Sequence, residues 1–380
     1  MTREEIEERI IYLTSQKEEL KNEEQAIKLT MNSIYGAIGN AYFVCFNPDV
    51  AEAVTLQGQD LIKHSEKILH KYFHEFWHKD EELHAKLGIR NVKKVSKPLV
   101  IYGDTDSNYV SFEEVVNSFE GWEGDTKDFI IKLNEYRIAG YLKKCFEIYA
   151  EKWGTNNYQD FELENISING LFLGKKKYVA NLVYDSGMHF EPLSTIKYTG
   201  VEMVKGGTPA FVRDKLGYLT KFIFETGKKF ELRDFVTELK KIKREFKVQE
   251  PERISNAVNI NNYENYVLND STGLEVASRC PIHVRASAYH NFLLNKSKYK
   301  DKYPLIGSGE KVRMYFVKTN NMAENNVFAY AQGTLPYEFS PPMDYDHQFT
   351  KTILDPINRF IEVMGYNKIS PNLFTINTLF

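Results

Sequence analysis

KPLVIYGDTDSNYVSF, Lys97 to Phe112, divides into an apolar run, a polar centre and a second apolar run. Leu99 to Tyr102 and Tyr109 to Phe112 are rich in β-branched or aromatic residues, whereas Gly103, Asp104, Asp106, Ser107 and Asn108 are turn formers. The pattern predicts strand, tight turn, strand. Two aspartates two residues apart on such a turn can project to one side, where their charges repel. A divalent cation removes that repulsion. Mg2+ is the natural candidate, since it takes oxygen donors and keeps water or phosphate as its other ligands. The plainer alternative is a turn whose Asp and Ser side chains bond local backbone N–H groups.

Upstream, residues 3–38 carry dense charge, no proline, and Ile6, Ile10, Leu13 and Leu20 at roughly helical spacing, which predicts a long helix or a helical hairpin. Its last part is KLTMNSIYGAIGN, Lys28 to Asn40. At ~100° per residue, Lys28, Asn32, Tyr35 and Gly39 share one stripe, and Ile27, Met31, Ile34 and Ile38 share a neighbouring one. The apolar stripe is expected to dock on the protein. The other presents an ammonium, an amide, a phenol and a glycine, a set suited to a nucleotide. Lys28 can meet a triphosphate, Asn32 adds a hydrogen bond, and Tyr35 offers a flat surface to a base pair. Gly36 and Gly39 each cost about 1 kcal/mol in a helix interior and make sense where something approaches the backbone closely. Taken alone, the same residues also read as a surface lysine, a capping asparagine and a core tyrosine. Residues 50–75 read as a second helix.

Downstream, residues 127–153 read as helical, and the stretch from Phe161 to Glu191 alternates like antiparallel strands, with Glu162 and Glu164 on one face. Within it GKKKY, Gly174 to Tyr178, is expected to open a strand. Lys175, Lys176 and Lys177 would then put charge on both faces, for a phosphate backbone, with Tyr178 beside a sugar or base edge. A solvated charge run is the other reading. Thr208-Pro209 starts a mostly helical stretch to about residue 247. The last third is mixed and ends in NLFTINTLF, an apolar-aromatic tail that can pack on its own domain or dock on a partner.

The whole chain has 380 residues, 42% hydrophobic and 27% charged, which excludes a disordered chain. A net charge of −3 requires any nucleic-acid surface to be a local basic patch. The three cysteines, Cys45, Cys145 and Cys280, are far apart and imply neither a disulfide framework nor a zinc site; Cys280 and His283 in CPIH lack a second ligand pair. The start, MTREEIEERI, is no signal peptide, and no run of 18 apolar residues occurs. A reducing, cytoplasmic setting without a membrane is expected.

KLTMNSIYG, then YGDTDS, then GKKKY, in this order and spacing, resemble motif B (KxxxNSxYG), motif C and the KxY motif of the family B DNA polymerases, those of T-even-like bacteriophages above all. The likeness continues through EMVKGGTP, CPIHVR and GEKV. It implies an α+β right-hand fragment: a helical fingers segment at 1–40, an antiparallel-sheet palm at 41–200, and a mostly helical thumb at 201–380. It implies that Lys28, Asn32, Tyr35 and Gly36 form the nucleotide site, with Lys28 also catalytic. Asp106 would hold both of two Mg2+ ions, with Asp104 in a lesser role. Lys176 and Tyr178 would monitor the primer terminus from the minor groove side, with Lys175 beside them also on the DNA, and Lys205 and Thr208 would touch the primer-template backbone. Leu373, Phe374, Leu379 and Phe380 would stand where the family has a sliding-clamp peptide, although its usual acidic residue is absent.

The same resemblance makes primer-template DNA and dNTPs the substrates, in host cytoplasm for a phage protein. The family's motif A, D-x-x-S-L-Y-P-S, carries its other metal aspartate and does not occur in these residues. The exonuclease motifs and the first fingers helix are absent too. The expectation is therefore a split polymerase, inactive as the isolated chain and completed by an N-terminal half bearing motif A. The alternatives are a truncated or degenerate remnant, or a non-catalytic DNA-binding or clamp-tethering subunit. D-x-D also serves glycosyltransferases, but those expect alternating βα units upstream, against the long helix here.

Overall fold

The computed structural model describes residues 2–318 and 325–374. The chain divides into two compact units, residues 1–162 and 163–380.

In the first unit, helix α1 (Arg3–Ile38) is one continuous helix rather than a hairpin. Thr2 caps it reciprocally with Glu5: Glu5 N–H donates to Thr2 Oγ1 at 3.3 Å, and Thr2 N–H to Glu5 Oε2 at 2.8 Å. None of its residues is buried. The expectation that its apolar stripe docks on the protein is therefore corrected, since Ile27, Met31 and Ile34 are 61%, 66% and 57% exposed. Only its C-terminal end meets helix α2 (Pro48–Lys71), where Asn47 N–H donates to Ile38 O and the Asn47 side chain caps Val50 N–H. Helix α2 runs into a π-helical turn, Tyr72–Phe76, that leads to the unit's aromatic centre. There Trp77, Phe73 and Phe129 are fully buried, and Trp77 Nε1 donates to Ser118 Oγ. Helices α3 (Thr126–Leu133) and α4 (Ala139–Glu151) complete this core, joined by a second π-helical turn. From that turn Arg137 pairs with Asp80 at 2.8 Å. Strands β1 (Val100–Asp104) and β2 (Ser107–Val110) form the predicted hairpin.

In the second unit, strand β4 (Lys177–Asp185) is central. It pairs antiparallel with β3 (Asn165–Gly174) along one edge, and with β5 (Met188–His189) and β6 (Thr195–Thr199) along the other. Glu162 and Glu164 precede β3 rather than sharing a strand face as expected. Helices α5 (Ala210–Thr226) and α6 (Leu232–Lys247) follow. Helix α5 starts after Pro209, which stands one place before its first residue. Both helices bury apolar stripes, including Val212, Leu216, Leu219, Phe235, Leu239 and Phe246. The last third is mixed, as read: a three-stranded antiparallel sheet of β7 (Asn256–Asn259), β8 (Lys311–Phe316) and β9 (Val327–Ala331), order β9-β8-β7. Helix α7 (Ile282–Lys296) lies on β9, and helix α8 (Asp355–Val363) adds Ile357, Phe360 and Ile361 to the larger core.

Candidate active site

The β1–β2 hairpin closes on two residues, Thr105 and Asp106, between the paired Asp104 and Ser107. Thr105 takes a φ of +54°, a left-handed conformation that a β-branched residue adopts at a cost. Asp106 N–H donates to Asp104 O at 2.6 Å, and Ser107 Oγ to the same oxygen at 3.1 Å. The two carboxylates are treated differently. Asp104 is half-buried, receiving Thr105 Oγ1 at 3.1 Å on one oxygen and Tyr102 Oη at 3.4 Å on the other. Asp106 is exposed, and its carboxylate has no hydrogen-bond or ion-pair partner among the described residues. The hairpin is thus one oriented acid beside one open acid, a fit for part of a divalent-cation donor set. Among the described residues no group of three or more His, Cys, Asp or Glu side chains could hold a metal ion, so these two need donors from elsewhere.

On α1, Lys28 pairs loosely with Glu24 at 3.4 Å, both side chains 68% exposed. Asn32 is exposed one turn on, and Tyr35 Oη lies 3.4 Å from Thr55 Oγ1 of α2. At Gly36 an added Cβ would meet nothing within 4 Å, so the backbone there lies open to an incoming group.

The lysine motif differs from its expectation. Gly174 pairs with Lys177, so Lys175 and Lys176 form a two-residue turn, and only Lys177 lies in a strand. The charges cluster at one tip instead of lining both faces. Tyr178 is also corrected: it is buried, stacked on Phe172 with centroids 5.5 Å apart, and presents no open ring to a sugar. Lys205 is exposed and pairs with Glu202 at 3.2 Å, while Thr208 N–H donates to Lys205 O. In the tail, Leu373 is 45% exposed. Phe374 packs on its own unit instead of standing free for a partner, against Phe349 and beneath Lys243 Nζ. Leu379 and Phe380 lie outside the described residues.

Residues 2–120, which contain α1, Lys28, Tyr35 and the whole hairpin, match the family profile of DNA polymerase family B. The chain is 26% identical over 352 residues to the DNA-directed DNA polymerase of Escherichia phage RB69, covering 88% of this chain and 36% of that one. To the DNA-directed DNA polymerase of Enterobacteria phage T4 it is 21% identical over 357 residues, 89% of this chain and 36% of the relative. The DNA polymerase catalytic subunit of human cytomegalovirus (strain AD169) is 25% identical over 226 residues, 53% of this chain and 16% of the relative.

The chain is similar to DNA polymerases of family B.

It spans about a third of the length of the phage relatives. Two residues that sequence reading missed shape the surroundings of these candidate residues, one in each unit. Ser65, fully buried on α2, accepts from Asn108 Nδ2 of β2 at 2.5 Å and anchors the hairpin. Its signal was faint, a lone serine in a helix. Gly200 has a φ of +63°, and a Cβ there would stand 2.0 Å from Lys176 O. Only glycine admits that approach, so Gly200 seats the lysine turn. The pair Thr199-Gly200 after a β-rich run was the signal available for it.

Proposed function

We propose that this chain provides part of the active site of a DNA-directed DNA polymerase, with residues 1–40 as the second half of the fingers, 41–200 as palm and 201–380 as thumb. The observation that carries the reading is the hairpin tip, where Asp106 stands open beside an oriented Asp104. Mg2+ ions bound there, with a further carboxylate from polypeptide outside these residues, would supply activation of a primer 3′-hydroxyl and stabilisation of departing pyrophosphate. Asp106 holds and orients that charge at the turn. Lys28 meets the triphosphate and offsets negative charge as the phosphoryl group transfers. Its present ion pair is exposed and weak, so exchanging Glu24 for phosphate costs little. Asn32 adds a hydrogen bond, Tyr35 lines the base-pair surface, and open Gly36 lets the nucleotide approach. Lys175, Lys176 and Lys205 contact primer-template phosphates, while Thr208 sets the turn that carries Lys205.

The test is primer extension with Mg2+ and dNTPs, run on this chain alone and with a polypeptide carrying motif A. Extension only in the mixture, abolished by Asp106→Ala, is the expected result. Robust extension by the purified chain alone would overturn the requirement for a further carboxylate from another polypeptide. A second reading, a non-catalytic DNA-binding subunit, is favoured by the lack of a third metal donor among the described residues. It expects no extension in any mixture, and DNA binding that Asp106→Ala leaves unchanged.

A further inference from the structure

Strand β1 is irregular at its start: its pairing with β2 slips between Val100 and Tyr102, a β-bulge. A bulge leaves backbone groups outside the ladder, and a buried N–H must find an acceptor elsewhere. Here the acceptor is a side chain. Leu99 N–H and Val100 N–H both donate to His70 Nε2 of α2, at 3.0 and 3.2 Å. One turn on, His74 Nε2 lies 3.0 Å from Lys97 O. The two rings stack with centroids 5.4 Å apart and planes within 6°.

These contacts define the protons. His70 Nε2 faces two donors, so it must be bare, and the proton of the neutral ring sits on Nδ1. His74 Nε2 faces a carbonyl, so it must carry its proton. The two histidines thus grip the segment Lys97–Val100 that leads into β1, with opposite tautomers. From Val100 the strand runs directly to Asp104, and the bulge sets which way its side chains alternate.

We infer that His70 is a positioning residue for the catalytic hairpin, a neutral acceptor that holds the bulge and thereby sets the aim of Asp104 and Asp106. The inference rests on the polymerase reading only for the word catalytic; the clamp itself is a statement about the fold.

Protonation of His70 would place a donor where two donors already point. The ionisable groups around it are Glu66 on α2, His74 in the π-helical turn that follows, Lys97 ahead of the strand, and Glu114, whose carboxylate accepts from Ser96 and Lys97 N–H. Burial, then the neighbouring His74, holds the His70 ring below its ordinary value of 6.5, while Glu66 opposes them. The sign follows: with a lowered folded value, the grip is whole above pH 6.5 and is lost as pH falls through the folded value.

The experiment is amide hydrogen exchange on residues 99–112 of the full chain at pH 7.5 and at the lowest pH at which the chain stays folded, corrected for intrinsic rates. Wild type is compared with His70→Leu and His70→Gln. Glutamine reaches about as far as Nε2, can accept, and does not titrate. The wild-type hairpin should lose protection at the lower pH. His70→Leu should exchange roughly ten-fold faster at pH 7.5, the loss of one good acceptor. His70→Gln should keep protection at both values. A His70→Leu hairpin protected like wild type, or a His70→Gln hairpin as acid-sensitive as wild type, overturns the inference. Exchange involves no catalysis, so its outcome is separate from that of the Asp106→Ala extension assay, on which the polymerase reading stands or falls.

Discussion

Two single residues carry measurable consequences. Thr105 holds a left-handed φ of +54° that puts its Cβ against the following carbonyl. Thr105→Gly is expected to stabilise the chain by about 1 kcal/mol in thermal melts. It should also slow extension in the complemented assay, because Thr105 Oγ1 no longer orients Asp104. Faster or unchanged extension would remove Thr105 from the site's design. At Gly200 the sign reverses. A Cβ 2.0 Å from Lys176 O, on a φ of +63°, must displace the turn. Gly200→Ala is expected to cost about 2 kcal/mol or more and to weaken primer-template binding with a shallower salt dependence, since the lysines lose their seat. DNA titrations at two ionic strengths would check both. The aspartates and Lys28 were legible in the sequence, because their chemistry is fixed by residue type and spacing. Ser65 and Gly200 were not, because each acts on a partner 43 or 24 residues away, Asn108 and Lys176 respectively.

Among the elements, α1 stands out for burying nothing over 36 residues. Isolated helices rely on propensity and local pairs, and most helical stability comes from tertiary packing. Hydrogen exchange across residues 5–30 should therefore be fast, while α5 and α6, with buried stripes, exchange slowly. Substituting Ile27→Asp and Met31→Asp together should leave the melting of this chain within about 0.5 kcal/mol per site, the range of exposed surface changes. A larger loss would mean that the stripe packs within the chain after all. The periodicity of α1 was readable in advance, but its docking was not. Periodicity says which residues share a face, and only the fold says whether anything covers it. The GKKKY segment makes a related point. Its charges were plain, but whether they lay in a strand or a turn depended on the register of β3 against β4.

For the second unit as a whole, the core predicts its response to acid. His290 is 1% exposed, its ring between Phe328 and Phe339, and its Nε2 donates to Pro304 O. Burial drives its pKa down from 6.5 to about 4, against the opposing bond to Pro304. A buried neutral histidine with a lowered folded value contributes stability above pH 6.5 that is lost as pH falls towards 4, up to about 3 kcal/mol. Melting this unit between pH 7 and 4 should show that loss, and His290→Gln should flatten it; an equal slope in both would assign the acid sensitivity elsewhere. Limited chymotrypsin digestion tests the division itself. Cleavage is expected at Trp153 or Tyr158, 69% and 81% exposed between α4 and β3, ahead of sites in either core. By itself the sequence determined the helix and strand periods, the two-carboxylate turn and the likeness to a family, because each is written in neighbouring residues within one helix turn or one hairpin. The tertiary structure alone decided that Asp104 is held while Asp106 stays open, that Tyr178 turns inward, that the lysines gather at a tip, and that α2 grips the hairpin through Ser65 and His70. Those outcomes depend on contacts between residues distant in the chain, which no local pattern encodes.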